Sequence, residues 1–216
     1  MGSDEVDPYC WNNTDKENFM VKNHIKDFGG LFNYYVNRER EVVNQTKTRI
    51  YWLNSDTAAY LEFLPQEILQ WWGNTLDLYS HLGRFPKNKF ILSNYDYFYF
   101  DSGFGNSFGN SFTWDPMHTW LDIYSFQVDA SIEGQILGLE ACMWSEMVND
   151  AVVIGRIFPR AASLGEKAWS QASNNHTDKL SVFQRLNAWA FRNTERGILS
   201  GPISTGFCEI NPSRCF

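Results

Sequence analysis

The chain has 216 residues, 44% of them apolar and a net charge of −7. That is enough apolar material for a core of its own. The acidic balance disfavours nucleic acid or an anionic membrane surface as partner, and no apolar run reaches membrane-spanning length. Aromatic residues make up 17%, with nine Trp. Such an excess suits platforms that stack on flat ligands such as sugar rings, although any single Trp is explained as well by packing.

Strand-like and helix-like segments alternate. Asp27 caps a predicted helix whose apolar side is Phe28, Leu31, Phe32, Tyr35 and Val36, continuing towards Val42 and Val43. A short strand follows over 49–53, then a helical stretch over 57–63 and a second strand over 67–72. A helix over 74–85 leads to a third strand over 89–94, and a long aromatic, glycine-rich loop over 95–116. Residues 135–144 read as a fourth strand, followed by a helix from about Asp150 that Pro159 kinks or restarts, and a last helix over 179–196. The β-then-α order predicts a parallel sheet. The strands are short and mostly apolar, as strands covered on both faces are. Periodicity alone leaves a small doubly wound sheet as the alternative to part of a barrel.

Cys208 and Cys215 close a short loop containing Pro212, which reads as a disulfide made in an oxidising compartment. Asn12, Asn44 and Asn175 each begin an Asn-x-Thr glycosylation pattern. Together these indicate a secretory route. Cys10 and Cys142 complete the cysteines, without ligand spacing for zinc.

Asp4-Glu5 alone would be an ordinary solvated acidic pair. Their setting, Gly2-Ser3-Asp4-Glu5-Val6-Asp7 before Cys10-Trp11, resembles the His-x-Gly-Gly-Asp-Glu signature of family 20 β-N-acetylhexosaminidases, with Met1 at x and Ser3 for the second Gly. Gly138-Leu139-Glu140-Ala141 through Trp144-Ser145-Glu146 is similar to the family's eighth-strand motif Gly-Gly-Glu-Ala-x-x-Trp-x-Glu, with Leu139 for Gly. Arg156 through Ala162, with Glu166 and Trp169-Ser170, resembles the helix after it, and Tyr99-Phe100-Asp101 the family's Tyr-x-Asp. The run from Ser93 to Gly105 is similar to arthropod-type members.

The resemblance implies the C-terminal part of a (β/α)₈ barrel, from the end of strand 4 through strand 8, as one domain over 1–216 with a disulfide-looped tail over 197–216. It implies a chain cut from something longer, unstable and weakly active by itself because the barrel edges are open. It implies hydrolysis of terminal N-acetylhexosamine in which the substrate's acetamido oxygen is the nucleophile. Glu5 would be the general acid and base, its pKa raised by burial. Asp4 would hold the acetamido N–H and Tyr99 its oxygen. Trp52, Trp72 and Trp144 would wall the sugar pocket, Asp101 and Glu146 would bind outer hydroxyls, and Trp114 would carry the next sugar. Neither metal nor cofactor is implied. N-acetylhexosamine-terminated glycans or chitooligosaccharides would be the partners, with room for a homodimer and a lysosomal or extracellular location. The rival within the resemblance is an inactive glycan-binding or structural remnant. A second motif, Gly105-Asn106-Ser107-Phe108-Gly109, fits a nucleophile elbow, with Asp115 or Asp122 and His176 as formal partners. It is followed by a poor helix start and repeats in sequence, so it reads as a chance match.

Overall fold

The computed structural model describes residues 1–43, 48–104, 115–170 and 178–216. The chain divides into two compact units, Met1–Asn94 with Ile132–Leu137, and Tyr95–Ser131 with Gly138–Phe216.

In the first unit, helix α1 (Thr14–Lys22) is capped by Asn13, whose side chain accepts from the Lys16 amide at 2.8 Å. Its polar sequence hid it from the periodicity reading. Helix α2 (Phe28–Val42) starts at the expected cap, where Asp27 accepts from Gly30 N at 2.8 Å, and it buries Leu31, Phe32 and Val36. Strands β1 (Ile50–Leu53), β2 (Ile68–Trp71) and β3 (Lys89–Leu92) pair in parallel. Tyr51, Leu69 and Phe90 lie in one register row, Leu53, Trp71 and Leu92 in another, and all six are buried. Each such side chain contributes roughly 1.5–3 kcal/mol. Strand β4 (Ile136–Leu139) completes the order β1-β2-β3-β4. Strand neighbours are therefore sequence neighbours throughout, without the order reversal of a doubly wound sheet.

The stretch expected as a helix over 57–63 holds only one turn, α3 (Ser55–Ala58). Pro65 disfavours helical backbone at Leu64, and side chains take over the freed backbone groups. Asn33 donates to Tyr60 O at 2.7 Å and accepts from Glu62 N at 3.0 Å, while Asn88 donates to Leu64 O and Glu67 O at 2.8 and 2.9 Å. The helix expected over 74–85 is α4 (Thr75–His81), capped by Asn74, followed by a separate 3₁₀ turn over Leu82–Arg84.

In the second unit, a helical turn α5 (Tyr95–Phe98) stands where only loop was expected. Helix α6 (Trp120–Ser125) opens with a capping box between Thr119 and Asp122. Helices α7 (Val153–Ile157) and α8 (Arg160–Ser170) flank Pro159, the expected break. Helix α9 (Lys179–Glu195) and α10 (Gly206–Ile210) follow. The core gathers Trp120, Tyr124, Val182, Phe183, Leu186 and Ile203, with Phe216 packed against it. Cys208 and Cys215 are joined by a disulfide, while Cys10 and Cys142 are free thiols. No helix among the described residues is long and apolar enough to cross a membrane.

Candidate active site

Each unit carries part of the residue set that the sequence singles out. In the first, Met1 and Gly2 run beside β1. The Met1 ammonium donates to Ile50 O at 2.6 Å, Trp52 N donates to Met1 O at 3.0 Å, and Gly2 bridges Trp52 in parallel. Asp4 and Glu5 follow after the buried Ser3, past the C-terminal end of that ladder.

Trp52 stands near the end of β1, alternating with the buried Tyr51 and Leu53, and is 41% exposed. Trp72 comes immediately after β2, its amide donating to Leu53 O at 3.0 Å, and its side chain is half-buried. The acidic pair and both tryptophans thus lie at the same, C-terminal ends of parallel strands. In α/β barrels those ends carry the chemistry. Behind them, Gln70 donates to Ser93 Oγ at 2.9 Å, both side chains buried.

Asp4 is half-buried and Glu5 is exposed. The burial expected of Glu5 is therefore not built around it in this chain. Glu5 also has φ of +51°, a left-handed conformation that costs a non-glycine residue about 1–2 kcal/mol. Such strain concentrates where function fixes a side chain's direction.

In the second unit, Tyr99 forms a parallel bridge with Cys142. Phe100 N donates to Cys142 O at 2.8 Å and Cys142 N to Phe98 O at 2.9 Å. Asp101, fully buried, accepts from Trp144 N at 3.3 Å. Tyr99, Asp101 and Trp144 are thereby tied together, by main-chain bonds between the Tyr99 and Cys142 segments and by the Asp101 carboxylate on the Trp144 amide. Trp144 is 43% exposed, and Glu146 is exposed two residues further on.

A further residue of the site stands in the helix motif that follows the fourth strand. Arg160, at the start of α8, is 3% exposed and stacks on Phe100, Cζ to ring centroid 4.5 Å. Burial pulls its guanidinium down to about 10, against the pull of the Asp101 charge and with a further push from Arg156. The available signal was a lone cation in an otherwise apolar run, Phe158 to Ala162, that could not face water along its whole length.

Trp114 lies outside the described residues, as do Ser107 with its elbow motif, His176, Asn44 and Asn175. Asp122, a formal partner for that elbow, is engaged as a cap, accepting from Thr119 N and Oγ1 at 2.8 and 2.7 Å. Asn12 is exposed, between a 3₁₀ turn (Pro8–Trp11) and the start of α1.

Comparison with known proteins accords with this layout. Over an alignment spanning 253 positions the chain is 29% identical to the chitooligosaccharidolytic β-N-acetylglucosaminidase of Ostrinia furnacalis, covering 100% of this chain and 39% of that protein. It is 30% identical to the β-hexosaminidase subunit beta of Felis catus, covering 97% and 38%. The chain thus spans about two fifths of the length of these relatives. Among solved structures, a family 20 exo-β-N-acetylglucosaminidase from Vibrio harveyi in complex with N-acetylglucosamine overlaps with a TM-score of 0.75 at 16% identity, over 95% of this chain and 33% of that one. The β-N-acetylhexosaminidase of Streptomyces coelicolor overlaps with a TM-score of 0.67 at 20% identity, over 94% and 40%. The fold is that of an incomplete (β/α)₈ barrel. Residues 1–172 match the catalytic domain of glycosyl hydrolase family 20, and the chain belongs to that family.

Proposed function

We propose that the chain carries the catalytic carboxylates of a β-N-acetylhexosaminidase that removes terminal N-acetyl-D-hexosamine with retention at C1. The substrate's acetamido oxygen attacks C1 while Glu5 gives its proton to the departing glycosidic oxygen, and the C1–O bond breaks to leave an oxazolinium. Glu5, now a carboxylate, takes a proton from water, whose oxygen attacks C1 and reopens the ring. Asp4 holds the acetamido N–H and offsets the positive charge of the intermediate, and Tyr99 donates to the acetamido oxygen. Trp52, Trp72 and Trp144 wall the sugar, Asp101 and Glu146 bind its outer hydroxyls, and Trp114 carries a second sugar.

The observation that carries this reading is the position of Asp4-Glu5, two residues beyond the parallel bridge at Gly2, in a chain of family 20. The printed activities of the relatives support chitooligosaccharides and N-acetylhexosamine-terminated glycans as substrate classes. A second reading, glycan binding without turnover, is favoured by the exposure of Glu5, Trp52 and Trp144 in this 216-residue chain.

One experiment separates them. The purified chain is given 4-nitrophenyl N-acetyl-β-glucosaminide, and N-acetylglucosamine binding is followed by tryptophan fluorescence. Release that vanishes in Glu5→Gln supports the hydrolase. Saturable quenching without release supports binding alone, and neither signal overturns both.

The disulfide and the exposed Asn12 also support a secretory location, lysosomal or extracellular, with glycan on Asn12. Expression in a secreting eukaryotic host, with peptide mapping before and after amidase treatment, tests this. An Asn12 peptide found wholly unmodified counts against it.

A further inference from the structure

A cation buried as deeply as Arg160 ordinarily meets a carboxylate. Arg160 donates instead to main-chain carbonyls. Nε and Nη2 reach Arg156 O at 2.9 and 2.6 Å, Nη2 reaches Phe100 O at 2.6 Å, and Nη1 approaches His118 O at 3.5 Å. The guanidinium also stands 5.6 Å from the Phe104 ring centroid, in addition to its stack on Phe100.

The two peptide planes on either side of Phe100 are consequently held by different partners. The Tyr99–Phe100 plane is fixed by the bond from Phe100 N to Cys142 O. The Phe100–Asp101 plane is fixed by the bond from Arg160 to Phe100 O. Because each peptide is rigid, holding these two planes sets the direction in which Tyr99 and Asp101 leave the chain. The Arg160 fork and its flat stacking face suit this task, and a lysine ammonium offers neither. Its positive charge also partly compensates the buried Asp101 carboxylate.

We propose that Arg160 is a positioning residue, a clamp on the Phe100 carbonyl and ring that aims Tyr99 and Asp101 at the sugar. The roles of Tyr99 and Asp101 rest on the proposed hydrolase reading. The clamp itself rests only on the geometry of the second unit.

The test compares the full chain with Arg160→Lys, which keeps the charge and removes the fork. Amide hydrogen exchange is followed at Phe100, Cys142 and Trp144, with Leu186 in α9 as internal control. In Arg160→Lys the three amides are expected to exchange about tenfold faster while Leu186 is unchanged, the effect of losing one charge-assisted bond in a local opening. Equal acceleration at all four overturns the clamp, since it marks loss of general stability, and so does wild-type exchange at all four. Should Arg160→Lys fail to fold, Phe100→Leu, which keeps the carbonyl and removes the stacked ring, is expected to accelerate the same three amides selectively. Equal rates there overturn the proposal too.

A kinetic arm reads the functional half. Where the wild-type chain hydrolyses the chromogenic glycoside, Arg160→Lys is expected to lower kcat/KM about 100-fold, with kcat falling as well as KM rising. Unchanged kinetics overturn the positioning role. A wild-type chain without turnover counts against the hydrolase reading instead, and the exchange measurements still decide the clamp.

Discussion

Arg40 grips Glu67 with two parallel bonds, Nε to Oε1 at 2.9 Å and Nη2 to Oε2 at 2.8 Å, around a carboxylate with no exposed surface. The same carboxylate accepts from Leu64 N at 2.8 Å, Tyr51 Oη at 3.2 Å and Arg49 Nη1 at 3.3 Å. One acidic side chain therefore fastens α2, β1 and the entrance of β2. Replacing it by Ala leaves two arginines facing an empty polar hole. Glu67→Ala is expected to lower the unfolding free energy by about 3–5 kcal/mol, measured by urea titration.

The same cluster predicts how stability depends on pH. Burial pushes the Glu67 carboxyl up, but hydrogen bonds from Arg40, Leu64 N and Tyr51, with the Arg40 charge, outweigh it and hold the group below its ordinary value. A lowered native pKa means the stabilisation is complete above the unfolded value of about 4.3 and disappears as pH falls through the native one. Tyr51 is raised to about 12 by burial first and the Glu67 charge second, so its contribution holds below about pH 10 and is lost as pH rises towards 12. Urea midpoints measured across both ranges are expected to drop at each end. Tyr51→Phe is expected to flatten the alkaline drop and, by removing one of the bonds to Glu67, to reduce the acid one slightly.

Glu5 combines a proposed chemical role with a strained backbone, so two substitutions there separate the effects. Glu5→Gln is expected to reduce glycoside hydrolysis by about 10²- to 10⁴-fold with little change in thermal midpoint. Glu5→Gly is expected to abolish hydrolysis equally while raising stability by about 1 kcal/mol, because glycine adopts φ of +51° without penalty. A Glu5→Gln chain with full activity removes Glu5 from the mechanism.

Gly103, two residues beyond Asp101, has φ of +81°, and a Cβ there would lie 2.2 Å from the Met117 amide nitrogen. Backbone cannot yield by that much without moving the turn. Gly103→Ala is expected to destabilise the second unit by about 2–4 kcal/mol, read as a lower thermal midpoint.

The tail disulfide closes a loop of separation seven, and Phe216 just beyond it stacks on Phe183 with centroids 4.6 Å apart. Reduction, or Cys208→Ser with Cys215→Ser, is expected to cost about 2–3 kcal/mol by releasing that loop. Differential scanning calorimetry with and without a thiol reductant measures it. An unchanged midpoint separates Phe216 packing from the crosslink.

Much of the scaffold was legible because its signals were local. Asp27 and Asn74 are short polar caps before apolar periodicity, and β1, β2 and β3 appear within two residues of their expected ends. What escaped depended on tertiary partners. The chain after α3 abandons helix because Asn33, Arg40 and Asn88 satisfy its backbone from elsewhere, which periodicity cannot report. The fourth strand ends at Leu139, short of the expected 144, and Cys142 pairs instead with the segment around Tyr99. The acidic pair was readable from its motif, whereas the exposure of Glu5 is set by what surrounds it in space. Arg160 was visible as a letter but its carbonyl partners were not.

The uninterrupted strand order has a consequence for synthesis. Each strand emerging from a ribosome finds its sheet neighbour already made, since Met1–Gly2 waits for β1, β1 for β2, β2 for β3 and β3 for β4. Among the described strands, none is inserted between two that have already paired. The described sheet therefore extends in the direction of translation, and at each stage the margin beside the newest strand is the one that the next strand will cover.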